Sequence, residues 1–381
     1  SIRRQRQMCI RDRNISREKK RKRIAVGILL LIYLLYGFPD PSETSILEFA
    51  TAQMLPLFTY EKEYGTCCAE YDSGYEVPDW FYEDEMEQPV NENLAVAEKQ
   101  EEAEQPPVNE TIGTTFQRST LCQPDFLLNK IFVVDSNTSL STEEMSADNL
   151  LDTDVSIENI KESGEDKILI YHTHGSESFA DSREGVKEDT IIGVGAHLEK
   201  ILEEEYGIAT YHDETLYDVI DGKLDRNRAY EMAYNNVSGI LKENPSIQVV
   251  IDLHRDGVDE DVRLVTDIDG KQTAKIMFLN GVSRSNMNGE IAYLKNPYRN
   301  MNLAFSFQMY LQGKALYGDY VRKIYVKSLR FNMHLMPRTT LIEVGAQNNT
   351  VEEEKNAMEP LAAILDKVLS KKKSCDTIIS D

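Results

Sequence analysis

The stretch Lys167–Phe179 reads KILIYHTHGSESF. Its aliphatic run, bounded by charged and turn residues, predicts a buried strand of an α/β sheet. Two of the chain's six histidines, His172 and His174, then leave the strand end one residue apart. In open α/β sheets, chemistry gathers outside the carboxyl ends of parallel strands. Two further runs end in the same way: SIQVVIDLHRDG closes on His254, and TTLIEVG carries Glu343. Around them, short apolar runs alternate with amphipathic stretches, which predicts βαβ units and a mostly parallel sheet flanked by helices over residues 166–371. A helix over 189–206, capped by Asp189, follows the first strand. IATYHDE reads as a strand, and helices are expected near 228–243 and 299–316, with a single closing helix over 352–369. Residues 262–282 read as a hairpin turned at Asp269-Gly270. Tyr298, Phe305, Phe307 and Tyr310 suit helix packing, and lone glycines such as Gly175 and Gly257 give no phosphate loop.

Composition divides the rest of the 381 residues. Residues 1–23 hold eleven Lys or Arg and two acids, a net +9 within a chain of net −23. The remainder, at −32, would repel nucleic-acid phosphates, so nucleic-acid partners are excluded. SIRRQRQMCIRDR, at 1–13, resembles a translated sequencing adapter more than protein. The uncharged run at 24–38 would make roughly 22 Å of helix, short for a bilayer core. After a basic flank it reads as an uncleaved signal anchor, ahead of a cleaved signal peptide or a buried helix, placing the later residues outside the cytoplasm. Residues 39–120, with Pro106-Pro107 near their end, read as an acidic flexible linker. Residues 121–165 form a lead-in segment and 372–381 a tail. The five cysteines are scattered, none at CxxC spacing, which argues against a disulfide framework or a cysteine zinc site.

Parallel strands bring distant residues to one rim, so His172 or His174, His254 and Glu343 are expected neighbours. Two imidazoles and a carboxylate suit a catalytic zinc with an open fourth position. A further carboxylate would then handle the proton. Arg255 and Asp256 are expected to ion-pair with each other or to position substrate. His172 could support the site or face the core. His334 is expected to be structural, and His197 and His212 solvated.

YHTHGSESF, VVIDLHRDG and FNMHLMPRTTLIEVGAQNNTVEEEKNAMEPLA together resemble stage II sporulation protein P, a family related to the zinc-dependent N-acetylmuramoyl-L-alanine amidases. The likeness covers roughly residues 121–370. It implies a peptidoglycan amidase of sporulation engulfment, with Zn2+ on His174, Glu188 and His254 and with Glu343 as the proton shuttle. Glu177 competes with Glu188 for the second ligand position. It further implies an endopeptidase activity and a glycan-cutting membrane partner. A non-catalytic wall-binding or scaffold protein of the same fold is the other reading, and it predicts no zinc.

Overall fold

The computed structural model describes residues 113–161 and 164–370, with Ile379–Ser380 as backbone only, all within the second of two compact units, Pro78–Asp381. The expected anchor at 24–38 and most of the expected linker lie outside the described residues. Among the described residues no helix is long and apolar enough to cross a membrane.

A seven-stranded sheet organises the unit. In chain order its strands are β1 (Phe132–Val134), β2 (Ile168–Tyr171), β3 (Thr210–His212), β4 (Val249–Asp256), β5 (Ile276–Gly281), β6 (Ile324–Lys327) and β7 (Thr339–Ala346). Their spatial order is β1-β6-β5-β7-β4-β2-β3. Every neighbouring pair is parallel except β5 with β7, so two parallel blocks of opposite direction meet there. The block β7-β4-β2-β3 sends all its strand ends to one rim, as the sequence pattern requires. The lead-in segment is built into the sheet, since its IFVV run supplies the edge strand β1 beside β6.

β4 and β7 are buried along their length, apart from half-buried Arg255, as expected of central strands covered on both faces. One face is covered by α1 (Ala147–Asp152), α2 (Ile191–Glu204), α4 (Arg299–Tyr317) and α6 (Met358–Leu369), which pack on Ile168, Ile170, Ile251, Phe278 and Ile342. The other face carries α3 (Arg226–Glu243), whose Ala229, Ala233, Val237 and Ile240 pack on Leu169, Tyr171 and Val250. Beside α3 that face is closed by loop residues Leu329, Phe331 and Met333 over Met277, Leu279 and Leu341. Each such side chain fully buried contributes about 1.5–3 kcal/mol.

Several local expectations are corrected. Thr190 is the N-cap of α2 without a side-chain capping bond, its hydroxyl donating to the Lys187 carbonyl instead, and Asp189 is drawn away to Arg183 at 2.6 Å. The hairpin at Asp269-Gly270 exists, with φ of 52° and 81°, but it ends at Ala274. Ile276 onward is β5, a strand of the main sheet. The closing helix is two: α5 (Val351–Asn356) begins with a Thr350–Glu353 capping box, and Ala357 separates it from α6.

Candidate metal centre

Side chains alternate across the sheet, so Asp252, His254 and Glu343 share the α3 face with Val250 and Leu341. β7 pairs with β4 so that Glu343 lies opposite His254. Between Glu343 and Ala346 the register slips, and Gly345 takes φ +48°. A Cβ there would stand 1.9 Å from the Glu354 Oε1, so this bulge beside Glu343 needs glycine. His174 reaches the same place from beyond the end of β2, where the tight HTHG turn places Glu177 back against it.

His174, Glu177 and His254 form a cluster whose ligand atoms all lie within 4.8 Å of one another. Glu177 Oε1 is 3.6 Å from His174 Nδ1, and Oε2 is 3.7 Å from His254 Nδ1. Ligand atoms about 2.0–2.1 Å from a tetrahedral zinc stand about 3.3 Å apart, so these spacings suit one ion after small movements. Supporting bonds fix the donors. His254 Nε2 meets Asp252 at 2.8 Å, leaving Nδ1 for the cluster, and Asp252 in turn accepts from the Thr173 amide and hydroxyl. Glu177 Oε2 accepts the Arg255 amide at 3.0 Å. Carboxylate support of this kind orients metal-binding histidines. His174 Nε2 is buried with no hydrogen-bond partner.

The electrostatics match a site shaped for a cation. Burial alone would raise Glu177, but His174 and His254 outweigh it and hold the carboxyl at about 2. Burial would lower His254, yet the neighbouring Asp252, Glu177 and Glu343 push it up to about 10. Glu343 behaves oppositely. Burial, with the charges of Asp256 and Glu177, raises it to about 8 against the pull of His254. Its Oε2 is buried and unpartnered.

Glu188 is not in the cluster. It lies exposed on the single turn Lys187–Asp189 ahead of α2, so the carboxylate that meets the two imidazoles is Glu177. The HTHG turn folds Glu177 back toward the imidazoles, whereas the turn that carries Glu188 leaves its side chain in solvent. Asp256 pairs with Arg322 at 2.7 Å, correcting the expected pair with Arg255, whose guanidinium binds the Ser178 and Asp256 carbonyls. His212 is buried, not solvated, because it stacks edge-on against His172. His172 faces α2, away from the cluster, with Nδ1 on the Leu253 carbonyl. His334 stacks on Tyr234, and His197 is half-buried on α2. Asp252 went unremarked in the sequence, although its position two before His254 puts it on the same strand face.

Residues 75–366 match the family model of Stage II sporulation protein P (SpoIIP). The stage II sporulation protein P of Bacillus subtilis (strain 168) is 25% identical over 215 residues, covering 53% of this chain and 51% of the relative. The chain thus spans about half the length of the curated relative it matches. Among solved structures, an N-acetylmuramoyl-L-alanine amidase from Clostridium difficile 630 is similar at TM-score 0.33 and 16% identity, over 55% of this chain and 100% of that one. The CwlD amidase from Clostridioides difficile, solved with the GerS lipoprotein, gives TM-score 0.35 and 14% identity, over 54% of this chain and 99% of that one.

Proposed function

The chain belongs to the Stage II sporulation protein P (SpoIIP) family, and on that premise we propose that it is a zinc-dependent peptidoglycan hydrolase of sporulation, cutting the amide between N-acetylmuramic acid and L-alanine. The observation that carries this reading is the meeting of His174, Glu177 and His254 beside a buried carboxyl, Glu343, whose Oε2 has no partner.

The three clustered residues would hold the ion, with Glu177 in the position first expected of Glu188. Zinc there would supply Lewis acidity toward the substrate carbonyl and lower the pKa of a water. Glu343 acts as the general base, its Oε2 accepting a proton from water and handing it to the leaving amide nitrogen. Burial raises the Glu343 carboxyl when no cation is present, and a dication held by the cluster would draw it back toward the carboxylate that a general base must be. Asp252 keeps His254 oriented, and the Arg255 amide keeps Glu177 facing the ion. The wider biology is part of the same proposal: an extracytoplasmic domain on a membrane anchor, a glycan-cutting membrane partner in engulfment, and a second, endopeptidase activity.

The test is to purify the protein, measure bound zinc and incubate it with peptidoglycan. Release of stem peptides beginning with L-alanine is expected, and Glu343→Gln should keep the zinc while slowing release by about 100-fold or more. Metal-free protein that releases nothing would instead make it a wall-binding scaffold. Comparing zinc content in Glu177→Ala and Glu188→Ala decides the carboxylate ligand, with loss expected only in the first.

A further inference from the structure

Cations stand around the cluster, and two of them are already committed. Arg322 is buried against Asp256. Arg255 spends its guanidinium on the backbone carbonyls of Ser178 and Asp256, at 3.0 and 3.1 Å. Arg226 differs. It opens α3, its side chain is 45% exposed, and among the described residues its ion pair is with Glu177 Oε1 at 4.0 Å, beyond hydrogen-bond length.

Its place is fixed by the helix register. Tyr230, four residues on, lies on the same face of α3 and sets its ring 5.6 Å from that of His174. Arg226 therefore stands on the cluster side of α3, one turn before a residue that touches a proposed ligand. Once Glu177 shares its charge with a cation, its pull on Arg226 weakens, and a planar guanidinium remains beside the reacting position.

The chain carries net −23, so an anionic substrate is disfavoured by the overall field and needs a local cation to hold it. Guanidinium matches a carboxylate in a two-pronged geometry that an ammonium cannot reproduce. We propose that Arg226 is a specificity-determining residue that binds a carboxylate of the stem peptide near the scissile amide, favouring acidic stems over their amidated forms. This rests on the hydrolase reading above.

The test uses the zinc-loaded full chain and two synthetic muramoyl peptides. They are identical except that the residue after L-alanine bears a free α-carboxylate or a carboxamide. The wild type should prefer the acid by about tenfold, mainly through KM, a preference of the size expected of one charge-assisted pair. Arg226→Ala should bring the ratio near one, and Arg226→Lys should restore it in part. Zinc content should be the same in all three. Calorimetry with the Glu343→Gln variant, with and without Arg226→Ala, reads binding of the acid peptide without turnover, and affinity should fall by a similar factor. An unchanged ratio and affinity in Arg226→Ala would overturn the assignment, as would loss of zinc, which would make Arg226 a support for Glu177. If the wild type cuts neither peptide, the hydrolase reading fails, and the calorimetric comparison still decides Arg226.

Discussion

Two histidine pairs meet on opposite faces of one sheet, and their rings are almost superimposable in geometry. His174 and His254 have centroids 5.0 Å apart at 81°; His172 and His212 have centroids 5.1 Å apart at 81°. Their hydrogen bonding differs. In the first pair Glu177 stands between two imidazole nitrogens, and His174 Nε2 has no hydrogen-bond partner. In the second the two Nε2 atoms are 2.8 Å apart, a hydrogen bond too short to admit an ion between them. His172 is further tied to the Leu253 carbonyl, and Gly195 of α2 packs directly on both rings. A carboxylate stands near both pairs, so what differs is how it is shared: Glu177 reaches a nitrogen of each ring of the first pair, whereas Glu199 lies 3.4 Å from His212 Nδ1 while the facing nitrogens of the second pair are spent on each other.

The sharpest way to break the comparison is to remove one ring from each pair. His254→Ala should lose bound zinc and lower hydrolysis by 1,000-fold or more, at the scale of losing essential catalytic machinery. His212→Ala should keep zinc, as metal analysis of the two purified variants would reveal. Equal zinc loss in both would mean the pairs are not separate.

Next in size is Gly195→Ala. The added Cβ would lie 2.6 Å from His172 Cε1 and Nε2 and 2.8 Å from His212 Nε2, where buried rings have little room to move. Overpacking should cost about 1–3 kcal/mol, exceeding the gain of about 1 kcal/mol from replacing a helical glycine. Urea denaturation should register this, with zinc stoichiometry unaltered.

The smallest effect concerns pH. Burial lowers the pKa of His212 below its ordinary 6.5, against the opposing charges of Glu214 and Asp213 and with that of Lys187. Below 6.5 the unfolded chain then binds a proton that the folded chain refuses, so this contribution is complete above 6.5 and is lost as pH falls. One such group changes stability by at most about 1.4 kcal/mol per pH unit. In chelator-treated protein, His212→Gln should lose less stability than wild type between pH 7 and 5; an identical slope would show that His212 takes up its proton as readily in the folded chain as in the unfolded one.

Much of the fold was legible in the residues themselves. The runs ILIY, VVIDLH and TTLIEV are long enough and apolar enough that only central strands bury them, and helical periodicity located α2, α3 and α4 to within a few residues. A meeting of His172 or His174 with His254 and Glu343 followed as well, since parallel strands must deliver their ends to one rim; the choice of His174 came from the family resemblance. Glu177 and Glu188 could not be separated that way. Both follow the strand closely, and their order along the chain says nothing about which one a turn folds back.

Side-chain alternation and hydrophobic run length are local properties, so the sequence by itself determined the strands, the shared rim and the residue types brought to it. Partner choice is a property of three-dimensional proximity. Only the tertiary structure decided that Asp256 answers Arg322, that His212 closes on His172, and that Glu177 stands between the other two imidazoles. The physical reason is that a buried polar group takes whichever partner packing leaves within about 3 Å, and that distance is fixed by elements far apart in the chain.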